Sequence, residues 1–292
     1  MGTTSAVRHS AGSGPGRDCD GGDGRFGRIL RSPLGWMPAG MVGVGLVSGL
    51  TATGPGPVPV LGAVAAVAVY CSVMRRAARR PTPEIARYGA SREVLLGGGI
   101  GLGFILVSAL LVTAFGGYSF TWAGDGFMSV VWAAVVVQIG AAVTEELLFR
   151  GLALQALEQV WGSWAAVVVT SLFFGLAHLG APGANAWSGL AIALEAGVLL
   201  GAAFLWRRSI WFVVGLHFAW NTTEQLLGIP VSGHAPEGLF AVDVHGSPLL
   251  TGGGFGLEAS IMPVLMGVAI AVPMLVRAHR NGGVKPRRRA RR

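Results

Sequence analysis

The apolar positions of this chain fall in long, nearly unbroken runs, not in the alternating or one-faced patterns of a soluble domain. Eight runs have the about 17–25 residues that a helix needs to cross a hydrocarbon core: Leu34–Ala52, Pro57–Met74, Leu95–Phe115, Phe127 to at least Leu148, Ser163–Leu179, Ala186–Trp206, Ile210–Ile229 and Ala259–Val276. A Gly-Pro-Gly-Pro turn joins the first two. Small residues recur at four-residue spacing, Gly45 with Gly49 in the first run and Gly97, Gly99, Gly101 and Gly103 in the third. Such spacing lets membrane helices approach closely. The expected fold is therefore all-α, a polytopic membrane protein of about eight transmembrane helices. Residues 1–32 are rich in Gly, Ser, Asp and Arg without periodicity and read as a disordered tail. A membrane domain is expected over 33–278 and a basic tail over 279–292. A long loop carrying His234, Glu237, Asp243 and His245 separates the last two runs.

Composition agrees: 52% of residues are hydrophobic and 12% charged, against about 25% charged in a typical soluble domain. Cys19 and Cys71 lie in unrelated contexts, with neither metal-ligand spacing nor an expected disulfide. No apolar segment precedes Pro33, so no cleavable signal peptide is expected. The net charge of +8 bears on topology. With the N-terminus cytoplasmic and eight alternating spans, all 22 Lys and Arg fall on cytoplasmic segments or cytoplasmic helix ends. Five precede the first span, six follow the second, Arg150 and the Arg207-Arg208 pair stand between, and eight lie at or beyond the end of the last. The positive-inside rule then places both termini in the cytoplasm of a plasma-membrane protein. The basic tails are expected to touch anionic lipid headgroups; nucleic acid is not an expected partner.

Against this apolar background a few ionisable residues stand out, and inside a membrane such residues are candidate functional groups. The fourth span carries Glu145, Glu146 and Arg150, the fifth His178 four residues after Phe174, and the seventh His217 four residues before Asn221. On a helix Glu146 and Arg150 share a face and can pair, leaving Glu145 about 100° away and free. Two Glu, two His and an Asn form a hydrolytic set: a Glu can deprotonate water, a His can orient it, and a His-Asn pair can hold an oxyanion. Glu145, His178 and His217 could instead ligate one divalent metal such as zinc. Glu195, deep in the sixth span, and Glu224, on the face of His217, have no role assigned by spacing. Depth sets a condition. If the fourth helix stops near Leu148, Glu145 sits at the cytoplasmic face, whereas His178 lies roughly 22 Å in and His217 roughly 10 Å in. The groups meet only if that helix runs on to about Leu157 and buries Arg150 against Glu146.

Glu145-Glu146-xxx-Arg150, Phe174-xxx-His178 and His217-xxx-Asn221 together resemble the three motifs of the CAAX-prenyl-protease-like and bacteriocin-processing (CPBP) family of intramembrane proteases, over roughly 127–229. The resemblance implies an intramembrane endopeptidase acting on a membrane protein or lipidated peptide, prenylated in the eukaryotic branch. It implies that Glu145 activates water with His178 beside it, that His217 and Asn221 stabilise the oxyanion, and that Glu146 and Arg150 support them. It fits both a metallopeptidase and a metal-free glutamate mechanism. Family members with immunity or scaffold roles supply the alternative, a non-catalytic membrane protein. A transporter is a third reading; no internal repeat of the kind transporters often show is evident.

Overall fold

A computed structural model of the protein describes residue 2 and residues 25–124 and 126–287. The expected N-terminal tail thus lies outside the described residues up to position 24, as do residues 288–292. A short helix, α1 (Arg25–Arg31), occupies the end of the segment read as disordered. The bundle begins with α2 (Pro33–Thr51), α3 (Val58–Arg76) and α4 (Ala90–Ala114). A strand, β1 (Tyr118–Trp122), leads to α5 (Phe127–Glu146), which passes through a π-helical stretch, Leu147–Leu154, into α6 (Gln155–Trp161). Then come α7 (Ser163–Ala177), α8 (Ala186–Ile192), a second π stretch at Ala193–Gly197, α9 (Val198–Arg207) and α10 (Ile210–Leu226). The chain ends with β2 (Phe240–Val244), α11 (Pro248–Thr251) and α12 (Ile261–Arg280).

Among the described residues seven helices are long and apolar enough to cross a membrane: Pro33–Thr51, Val58–Arg76, Ala90–Ala114, Phe127–Trp161, Ser163–Gly180, Ala186–Arg207 and Ile261–Arg280. The protein is an all-α polytopic membrane protein. The remaining expected span, the seventh, is α10, which has 17 residues, slightly short of the about 20 that a straight span uses. It is wrapped by its neighbours: α4, α5 and α9 all pack on it, and twelve of its residues are buried, Glu224 among them. The outward surfaces of α2, α4, α7 and α12 carry exposed leucines and valines such as Leu46, Leu110, Leu172 and Leu265, as lipid contact requires.

The glycines of α4 explain its fit to α10. At Gly97 and Gly101 a methyl group would overlap the carbonyl oxygens of Phe212 and Leu216, whereas at Gly99 and Gly103 nothing stands within 4 Å. Of the two overlapping small-residue faces, one is the helix contact and the other faces outward. The expected partner face at Gly45 and Gly49 is likewise open.

The long loop is more ordered than its composition suggests. β2 pairs antiparallel with β1, from Tyr118 opposite Val244 to Trp122 opposite Phe240, and Phe240 packs edge-on to Phe120 and Trp122. At the other end of the bundle the basic tail begins as structure: the Lys285 N–H donates to Ser163 Oγ (2.8 Å), and the Ser163 N–H to the Lys285 carbonyl (2.9 Å).

Candidate active site

The fourth helix is continuous over 35 residues, Phe127–Trp161, so Glu145 lies in mid-span, as the depth condition demanded. The π stretch follows directly. π segments inside α-helices occur mostly as short insertions at functional positions, and this one carries Arg150. Arg150 is 2% exposed. Its Nη1 donates to Glu146 Oε1 (3.0 Å), and its Nη2 donates to the carbonyls of Ala196 (3.0 Å) and Gly197 (3.3 Å). Those two carbonyls belong to the second π stretch, so one guanidinium ties the two irregular segments together. The guanidinium also lies over the Phe174 ring, 4.9 Å from its centroid. A buried charge of this kind is tolerable only when paired and hydrogen-bonded throughout.

Glu146 does more than pair with Arg150. The same Oε1 accepts from His217 Nδ1 at 2.8 Å, joining α5 to α10. A carboxylate can only accept, so His217 carries its proton on Nδ1 and turns Nε2 away from Glu146. His178 is fixed in the same way: its Nδ1 lies 2.8 Å from the Phe174 carbonyl, a group that also only accepts, which leaves Nε2 free. The i, i+4 spacing read from the sequence thus serves two ends. It sets Phe174 under Arg150, and it holds the ring of His178.

Asn221 Nδ2 donates to Gln138 Oε1 (3.1 Å), and Gln138 Nε2 donates to Gln225 Oε1 (2.9 Å). Gln138 and Gln225 escaped the sequence reading. The signal was present, since Gln138 lies seven residues before Glu145 and Gln225 four after Asn221, spacings that share a helix face.

A cavity of about 930 Å³ is lined by Glu145, His178, Asn221 and Gln138, and by Ser232 and His234 from the loop after α10. His234 was expected to be an ordinary loop residue; it belongs to the wall. At its inner end a narrow space of about 20 Å³ is shared by Glu145, His178, His217, Asn221 and Glu258. All four residues expected to be catalytic therefore border one space, whereas Glu146 and Arg150 line neither. Glu258 is fully enclosed, and its Oε2 accepts from the Ser232 N–H (2.6 Å) and Oγ (2.8 Å). Burial pushes its carboxyl up from the ordinary carboxylate range, opposed by the neighbouring His178 and by the Ser232 hydrogen bonds. Glu195 and Glu224 are wholly buried, and no hydrogen-bond partner meets the Glu195 carboxyl among the described residues. Neither lines the cavity.

Among the described residues no three His, Cys, Asp or Glu side chains are placed to hold a metal ion. The three residues expected as a metal set, Glu145, His178 and His217, border the same narrow space. Each histidine does keep Nε2 unengaged, so proton transfer and hydrogen bonding are open to it.

Residues 126–223 match the family model of the Rce1-like type II CAAX prenyl endopeptidases. The match begins at the first residue before α5 and ends in α10, so it covers every motif residue named above. It supports a peptidase of the CAAX-protease kind at family level. No curated protein and no solved structure matched the chain.

Proposed function

We propose that this protein is an intramembrane endopeptidase that hydrolyses a peptide bond of a membrane-associated protein or lipidated peptide, with Glu145 as the water-activating residue. The observation that carries this reading is the common space bordered by Glu145, His178, His217 and Asn221 at the end of a cavity of about 930 Å³. Glu145 takes a proton from water as the oxygen attacks the scissile carbonyl. His178 Nε2 accepts from the other O–H of that water and orients it, and Glu145 then passes the proton it took to the leaving amine as the C–N bond breaks. The oxyanion is met by the Asn221 amide, whose other N–H is anchored on Gln138, and by His217 Nε2. For that last contact the ring must hold both protons, and Glu146 is the counter-charge placed to support them. Arg150 in turn holds Glu146 in position. Prenylated C-termini are one substrate class to test.

The experiment is proteolysis by the purified, detergent-solubilised protein. Wild type and Glu145→Gln are incubated with quenched peptides, lipidated and unlipidated, with and without a strong chelator. Cleavage by wild type alone is the expected result. Cleavage that survives the chelator supports the glutamate mechanism, and loss restored by zinc supports a metallopeptidase. Silence of the wild type across the panel favours the scaffold or immunity role.

A further inference from the structure

We infer that the cavity is supplied from the membrane face opposite the arginines, so that its substrate is a polypeptide segment on the extracytoplasmic side. This rests on the peptidase reading above. Helix direction places the mouth. Among the described residues, the loops that carry Arg, 77–89 and 281–287, and the Arg208 turn lie at one end of the bundle, with the start of α7. The β1–β2 pair lies at the other end, with the start of α5, the end of α7 and the end of α10. The cavity wall comes from this second end: Ser129 and Val130 begin α5, Gly180 and Ala181 follow α7, and Val231 and His234 follow α10.

Ser129, Ala133, Val137, Ala141 and Glu145 all line the cavity, and their four-residue steps make a continuous stripe that winds along α5. They form a shallow track about 24 Å long from mouth to Glu145, the length of about seven residues of extended chain. Toward the arginine end the path is closed. Below Glu145 stand Phe149, Arg150, Phe174 and Leu200, all buried, with the guanidinium bonded to α5 and to the second π stretch. No Lys or Arg occurs in the segments 52–57, 115–126, 178–185 or 227–260 that cap the open end. The positive-inside rule assigns such an end to the extracytoplasmic side. Water and substrate thus both arrive from outside, and a cytoplasmic peptide has no route to Glu145.

Cysteine accessibility in the full-length protein tests this without relying on catalysis. In a Cys19→Ser, Cys71→Ser background, Ala133→Cys is placed in the track and Arg87→Cys on the arginine face. Each is treated with a membrane-impermeant maleimide in intact cells and in inverted membrane vesicles. Ala133→Cys labels in intact cells and Arg87→Cys only in inverted vesicles if the inference holds. Labelling of Ala133→Cys solely in inverted vesicles, or from neither side, overturns it. A second arm adds a quenched peptide that the detergent-solubilised wild type cleaves to right-side-out and to inverted vesicles. Cleavage in the right-side-out preparation alone is expected, and cleavage in the inverted one alone overturns the inference. If no peptide is cleaved even in detergent while the labelling follows the expected pattern, the peptidase reading falls and the access route stands.

Discussion

Glu145 and Glu146 are neighbours with opposite circumstances. Glu145 is partly exposed and borders the cavity, whereas Glu146 is fully buried and holds Arg150 and His217. Glu145→Gln should therefore leave thermal unfolding in detergent nearly unchanged, within about 1 kcal/mol, while lowering peptide cleavage by about 10²–10⁴-fold. Glu146→Gln strands a buried guanidinium, a loss of about 3–5 kcal/mol, so its melting temperature and its activity should fall together. Arg150→Lys should behave like Glu146→Gln, because an ammonium cannot reach Glu146 and two carbonyls in one plane. Glu258 adds a pH dependence. Its folded carboxyl is raised by burial, so the folded state favours the protonated form. Its stabilising contribution is complete below the ordinary carboxylate range and is lost as pH rises through the raised value. The charges around it are His178 and His217 on one side and Glu195 and Glu224 on the other. Glu258→Gln should flatten this part of the profile of melting temperature against pH, and an unchanged slope would place the dependence on another group.

At the scale of helices, the contact of α4 with α10 turns on which glycines face it. Gly97→Leu or Gly101→Leu forces a side chain into the α10 backbone and should cost at least about 1–3 kcal/mol. Gly99→Leu and Gly103→Leu point into open space and should be tolerated, a contrast that thermal unfolding of the four variants checks directly. The sequence offered both faces with equal weight, since spacing says that a helix can be approached closely but not from which side. The same division runs through the site. His178 and Asn221 were legible because each motif sits within one helix turn of a partner, and spacing along one helix is written in the chain. The bond from His217 to Glu146 joins residues 71 positions apart, and its existence depends on how α10 is rotated against α5. The two π stretches were invisible for a related reason. An extra residue in a helical turn leaves hydrophobic periodicity almost unchanged, yet it brings the Ala196 and Gly197 carbonyls to Arg150. The pairing of β1 with β2 was hidden because its strands are five residues each and separated by more than a hundred positions.

Over the whole molecule, the arginines that looked like topology markers also close the bundle at one end. Arg207 pairs with Glu93, Arg80 with Glu84, and Arg208 with Glu158 at 2.6 Å. Glu158 is the busiest of these acids. Besides Arg208 it receives Ser163 Oγ at 2.5 Å and Lys285 Nζ at 2.9 Å. One carboxylate thereby joins the end of the 35-residue helix, the start of α7, the turn between α9 and α10, and the returning tail. The cavity lies at the opposite end and shares none of these groups, so the two ends should be separable by mutation. Glu158→Ala leaves Arg208 and Lys285 without their anion and removes the acceptor that orients Ser163. Because both cations are partly exposed, solvent offsets much of the loss, and a cost of about 1–3 kcal/mol is expected. Its signature is local: the Ser163 and Lys285 amides, which bond each other's segments, should exchange hydrogen faster, while amides around Glu145 and Asn221 keep their protection. Peptide cleavage at temperatures well below unfolding should be retained. If Glu158→Ala instead abolishes cleavage while the Lys285 amide stays protected, the two ends are coupled through the long helix, and the Arg150 layer transmits structure instead of sealing it off.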